Sequence, residues 1–128
     1  ELAARLRPGF PLSLDRQPFL TTSLNAPYIN ELMNWFAAKR IRINVVAEVD
    51  DSALIKVFGR QGLGYFAAPT VIHDEVCRQY EVECIGSIGE VRETLYAVTR
   101  ARSSGNPAIE ALLKSRPELD DSIEKIEL

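Results

Sequence analysis

His73 is the single histidine of the chain, and any proton-transfer catalysis through an imidazole would have to use it. As a general base it would serve Ser23, Ser87 or Cys77 as nucleophile. No local motif supports any of these pairings. His73 falls on an expected helix between Ile72 and Asp74, which reads as a surface or hydrogen-bonded structural histidine. Cys77 and Cys84 lack CxxC spacing, so one histidine and two dispersed thiols assemble no zinc set and no disulfide framework. Both thiols are expected to be buried in a reducing compartment. Asp50-Asp51 could hold Mg²⁺, but with Ser52 the pair is explained by capping the helix that follows. Gly59 to Gly64 is glycine-rich, yet it follows a helix and precedes a strand. A phosphate-cradling loop needs the reverse order, with a helix N-terminus aimed at the anion. These glycines are expected to form a helix C-cap and a tight turn. Neither metal nor cofactor is expected.

A different pattern suits small-ligand binding. Thr21, Thr22, Ser23 and Asn25 fall where a short strand ends and a helix begins. In open parallel sheets, ligands bind beyond the carboxyl ends of the strands, where hydroxyls and free helix N–H groups converge. The same edge would present Asp50 to Ser52 and the pair Pro69-Thr70. Helix capping is the competing explanation for all three groups. Anion capture suits the first group and is disfavoured beside the two aspartates.

The elements that would position these residues follow from periodicity. Glu1 to Arg7 reads as a short helix, broken by Pro8-Gly9 and Pro11. Phe19 to Thr22 is a short strand. After Pro27, Ile29, Leu32, Met33 and Phe36 recur at i, i+3, i+4 and i+7, one apolar stripe of a helix. Arg42 to Val49 alternates as a strand, with Ile43, Val45, Ala47 and Val49 on its buried side. Ala53, Leu54, Val57 and Phe58 make the inner stripe of the next helix. Tyr65 to Pro69 reads as a short central strand covered on both faces, and Thr70 opens a helix running through Cys77 to about Gln79. Val82 to Ile88 and Thr94 to Thr99 are two more strand candidates, with a loop at Ser103-Ser104-Gly105. Asn106 and Pro107 then start a helix with Ile109, Leu112 and Leu113 inward. The acidic stretch Glu118 to Leu128 reads as peripheral. The resulting order, β-α-β-α-β-α-β-β-α, predicts an α/β fold with a largely parallel sheet and helices on both faces.

The bulk properties set the remaining bounds. A chain of 128 residues, 46% hydrophobic and 26% charged, fits one folded domain. Its formal charge is −3, from fifteen basic and eighteen acidic residues. The basic groups (Arg5 with Arg7, Lys39-Arg40-Ile41-Arg42, Arg100 with Arg102) are short, so the chain alone is expected to bind DNA poorly. No run approaches a membrane span and no signal-peptide layout opens the chain, which points to the cytoplasm. The start inside a helix, without an initiator Met, suggests a piece of a longer protein.

Asn34-Trp35-Phe36, the run Val45 to Gly59 (VVAEVDDSALIKVFG) and the run Gly62 to Thr70 (GLGYFAAPT) together resemble the effector domain of LysR-type transcriptional regulators, in an NhaR-like branch. The resemblance extends from about Arg5 to Leu113. It implies a Rossmann-like three-layer subdomain of the type 2 periplasmic-binding-protein-like fold. Residues 17–92 would form the second regulatory subdomain, 93–115 a segment returning toward the first, and 116–128 a peripheral tail. It implies a ligand sensor that binds a small-molecule or ion effector between two subdomains. Thr21, Thr22, Ser23 and Asn25 would line that cleft, with Pro69 and Thr70 at the turn near the hinge. The partners implied are further copies of the chain, as dimer or tetramer, and DNA through a separate helix-turn-helix domain, with service as an activator. Two other classes compete. A solute-binding protein of a transport system shares the fold but needs a signal peptide. A small hydrolase would have to use Cys77 or Ser23.

Overall fold

The computed structural model describes residues 1–93, 97–99, 105–115 and 125–127, in two units, Glu1–Glu93 and Thr94–Leu128. In the first unit the described elements are α1 (Leu2–Leu6), β1 (Pro18–Thr21), α2 (Pro27–Ala38), β2 (Asn44–Glu48), α3 (Ser52–Arg60) and α4 (His73–Tyr80), with 3₁₀ turns at Arg7–Gly9, Leu12–Leu14 and Thr70–Ile72.

β1 lies at the centre of a small parallel sheet. It pairs with β2 on one side, Pro18 opposite Asn44 and Thr21 opposite Glu48. On the other side Phe19 forms a parallel bridge with Tyr65, through Leu20 N–H to Tyr65 O at 2.8 Å and Tyr65 N–H to Pro18 O at 2.9 Å. The expectation of a central strand at Tyr65 to Pro69 is corrected here: only Tyr65 pairs, and β1 is the covered strand, with Phe19, Leu20 and Thr21 at 1–2% exposure. Gly64 allows the approach, since a Cβ there would sit 2.7 Å from Pro18 O. Beyond Tyr65, Pro69 has no N–H to give a ladder, and Ala67 to Thr70 are exposed.

β2 also departs from simple alternation. Its register against β1 slips between Phe19 and Leu20, which face Val45 and Ala47 and leave Val46 as an extra residue. The buried face expected over Ile43, Val45, Ala47 and Val49 is therefore broken. Ile43, Ala47 and Val49 are half-buried, while Val45 and Val46 are exposed.

α2 starts with Pro27 in its first turn, where the lost N–H costs nothing. It buries Ile29, Leu32, Trp35 and Phe36. Three of these belong to the expected stripe. Met33 is only partly buried, and Trp35 takes its place in the core. Phe36 meets Phe19 edge-on at 5.8 Å, and Tyr65 lies 5.0 Å from Phe19, aromatic geometry that adds to simple area burial. Leu6 and Leu14, from the segment preceding β1, complete this cluster with Ile41. Successive strand residues face opposite ways, so Leu20 points away from Phe19. Leu20, Ile55 of α3 and Val76 of α4 are buried outside the Phe19 cluster.

On α3 the inward residue is Ile55, with Phe58 half-buried. The expected stripe is wrong at Ala53, Leu54 and Val57, which are exposed. The 3.6-residue period fits either phase, and burial selects the face centred on Ile55. Val82 to Ile88 is not a strand. It is an irregular segment in which Ile85 and Ile88 pack on the core, held by Arg7, which donates to Cys84 O at 3.1 Å and to Glu83 at 3.0 Å.

In the second unit β3 (Ala97–Thr99) pairs in parallel with β4 (Lys125–Glu127), Val98 opposite Ile126. α5 (Pro107–Lys114) begins as expected, with Asn106 accepting from Ala108 N–H at 2.9 Å and Pro107 in the first turn. Leu112, expected inward, is 73% exposed. The expectations for residues 94–96, Ser103-Ser104, the Leu113 side chain and residues 116–124 lie outside the described residues.

Candidate functional site

The parallel pairing brings the carboxyl ends of β1 and β2 to one edge, with Thr21 beside Glu48. There the chain leaves β1, crosses a polar turn and enters α2. Thr21 is 2% exposed and its hydroxyl has no hydrogen-bond partner, an arrangement that ordinarily costs about 1–3 kcal/mol. The Thr22 hydroxyl bonds the Tyr28 hydroxyl at 2.8 Å. Ser23 Oγ accepts from Asn25 N–H at 3.3 Å, and Ser23 O from Ala26 N–H at 3.0 Å. Asn25 is exposed. Ala26, not one of these polar residues, is the N-cap of α2, and it offers no side-chain bond. The polar group is thus not consumed by capping.

Glu48 closes this edge. Its carboxylate accepts from Leu24 N–H at 3.1 Å, placing a negative charge against the turn. A second anion would be repelled at short range, which weighs against the expected anion capture. Hydroxyls, an exposed amide and one carboxylate suit a neutral hydroxylated or a cationic ligand. Glu48 and Tyr28 were missing from the sequence-level site. Glu48 could have been found as the last residue of β2, whereas the Tyr28 contact depends on the turn's path. At the corresponding end of β2, Asp51 accepts from Ala53 and Leu54 N–H at 2.8 and 3.4 Å, the expected cap.

Pro69 and Thr70 stand elsewhere. Pro69 precedes the 3₁₀ turn, its carbonyl accepting from Ile72 N–H at 3.2 Å. Both residues border a groove of about 970 Å³, whose lining includes Tyr65, His73, Cys77 and Ile85 but none of Thr21, Thr22, Ser23 and Asn25. The first unit therefore brings four of the six residues into one turn and puts two on a separate groove. Tyr65 in the groove wall is buried with an unpartnered hydroxyl, and burial pushes its phenol well above the usual range, so it stays neutral.

The two thiols are not buried as expected. Cys77 is half-buried on α4 and Cys84 is exposed in the irregular segment; both are free. Neither belongs to the core, because each sits where the chain borders the groove. The described residues contain no cluster of three or more metal-binding side chains and no helix long and apolar enough to cross a membrane.

Residues 2–115 match the family described as the LysR substrate binding domain. Over 103 residues the chain is 28% identical to the transcriptional activator protein NhaR of Escherichia coli (strain K12), covering 80% of this chain and 34% of that protein, and the same figures hold for NhaR of Shigella flexneri. The chain thus spans about a third of the length of the curated relatives it matches. No solved structure gives a significant match.

Proposed function

The chain belongs to the LysR substrate binding domain family, and from that premise we propose that it is the ligand-sensing part of a DNA-binding transcriptional regulator of the cytoplasm, acting as an activator. The observation that carries the site assignment is the turn after β1. Thr21 keeps an unpartnered buried hydroxyl there, and Asn25 stays exposed beside Ser23 and the Glu48 carboxylate. Thr21, Thr22, Ser23 and Asn25 would form one wall of a cleft between two subdomains, residues 17–92 supplying the second of them. Pro69 and Thr70 would act near the hinge, residues 93–115 would return toward the first subdomain, and 116–128 would lie at the periphery. A small neutral or cationic effector would favour one packing of the subdomains, with a coupling of about 1–3 kcal/mol to the arrangement of the DNA-binding heads. Helices α2 and α3 against a parallel sheet support a Rossmann-like, periplasmic-binding-protein-like subdomain. Dimers or tetramers belong to the same proposal. Strand β2 has no second neighbour among the described residues, and Val45, Val46 and, on α3, Leu54 and Val57 are 39–50% exposed, apolar surface that a second copy would cover.

The test combines DNA binding with thermal shift on the intact protein. Sequence-specific binding at moderate salt is expected, about 10³-fold or more over random DNA; its absence sinks the proposal. In a panel of polyols, monovalent and divalent cations and small carboxylates, an effector present at 100 times its Kd should stabilise the protein by about 2.7 kcal/mol, with carboxylates giving the smallest response. Ser23→Ala with Asn25→Ala should erase the response and leave the unliganded melting point unchanged. Thr21→Val, which removes the orphaned hydroxyl at constant shape, should raise that melting point by about 1 kcal/mol equivalent while weakening the response.

A further inference from the structure

Three side chains on α4 stand in the order nucleophile, base, orienter, away from the strand-tip turn. Cys77 Sγ lies 3.7 Å from His73 Nε2, and His73 Nδ1 lies 2.9 Å from the Asp74 carboxylate. The i, i+4 spacing puts the thiol over the imidazole on one helix face. A carboxylate only accepts hydrogen bonds, so the neutral tautomer that donates from Nδ1 to Asp74 leaves the Nε2 lone pair on the side of the sulfur. This is the geometric signature of a thiol with its own base. All three residues border the groove of about 970 Å³, beside Tyr65 and Phe66, which gives a small molecule a path to the sulfur.

We infer that Cys77 is a primed thiol at which a small soft electrophile, an α,β-unsaturated carbonyl compound, adds covalently to this chain. As the S–C bond forms at the β-carbon, the thiol proton passes to His73 Nε2. The π pair of the C=C bond moves to the α-carbon side as an enolate, and the proton on Nε2 then protonates the α-carbon. The net change is addition of S–H across the double bond, with nothing oxidised or reduced and no leaving group. The site would give the protein a covalent input separate from the strand-tip turn, and it does not rest on the effector reading.

Cys84 is the control built into the molecule. It is more exposed than Cys77, its Sγ bonds Gly86 O at 3.6 Å, and the chain's single histidine is paired with Cys77. Accessibility alone would make Cys84 react first. The experiment is labelling of the intact protein with limiting N-ethylmaleimide, followed in time by peptide mass mapping of each cysteine. Cys77 is expected to label about tenfold faster than Cys84, a modest share of the gain a positioned base supplies in enzymes. His73→Gln should remove most of that advantage and leave the Cys84 rate unchanged. Asp74→Asn, on an exposed side chain, should slow Cys77 by a smaller factor through loss of the imidazole's orientation. Faster labelling of Cys84, or a Cys77 rate indifferent to both substitutions, overturns the inference.

Discussion

Asp15 and Arg42 show how a residue's role escapes the sequence. Arg42 reads there as one of a basic run, Lys39 to Arg42. In the structure its backbone N–H donates to Asp15 Oδ1 at 2.8 Å, its Nε donates to the same oxygen at 3.0 Å, and Nη2 pairs with Oδ2. The partner is 27 residues away, so no local pattern could have announced it. The guanidinium and then the backbone N–H of Arg42 hold the Asp15 carboxyl down from 3.8 to about 2. The folded chain therefore binds this proton more weakly than the unfolded chain does, and the pair stabilises the fold when the carboxyl is ionised. That contribution is fully present above the ordinary value of 3.8 and is lost as pH falls toward about 2. Urea titrations across this window should show wild type losing stability more steeply than Asp15→Asn, the two curves converging at the acid end. Parallel curves would mean the clamp does not act on folding.

At the scale of elements, two helix ends provide a matched comparison. α2 and α3 both close with a Schellman motif. In α2, Arg40 N–H bonds Ala37 O at 3.0 Å and Ile41 N–H bonds Phe36 O at 2.9 Å; in α3, Gly62 N–H bonds Gly59 O at 2.9 Å and Leu63 N–H bonds Phe58 O at 3.2 Å. The left-handed position is Gly62, φ 75°, in one and Arg40, φ 58°, in the other. A side chain there costs about 1 kcal/mol. Gly62→Ala should destabilise the fold by roughly that amount and Arg40→Gly should stabilise it by a similar amount, read from denaturant midpoints. Equal signs for the two substitutions would refute the shared geometry. Of these ends only the glycine one was legible, because glycine advertises a positive φ and arginine does not. The same limit explains the sheet. Periodicity placed β1, β2 and the three longer helices of the first unit, but the extra residue at Val46 inverts the alternation partway along β2. The pairing of Tyr65 alone depends on contacts with β1. For the candidate site, the cluster Thr21 to Asn25 was visible as polar residues between a strand and Pro27. Glu48 was not, because its relation to Leu24 N–H exists only once β1 and β2 lie side by side.

Across the whole molecule, charge bears on the proposed division between sensing and DNA binding. The chain carries a formal charge of −3, and several of its described basic side chains are engaged internally. Arg7 pairs with Glu83, Lys39 with Glu90, Arg42 with Asp15 and Arg60 with Glu81, while Arg5 donates to Gln17. DNA affinity grows with the number of phosphates that free cations neutralise, and these pairs put a carboxylate beside cations that would have to do so. The purified 128-residue chain is accordingly expected to bind duplex DNA no more tightly than a Kd of about 10⁻⁴ M near physiological salt, the weak end of non-specific binding. Fluorescence anisotropy of a labelled duplex would measure it. If the chain alone bound at micromolar Kd with a steep fall as salt rises, its surface would be a nucleic-acid interface in its own right. The effector would then act on DNA contacts directly, with no need for transmission through subdomain packing.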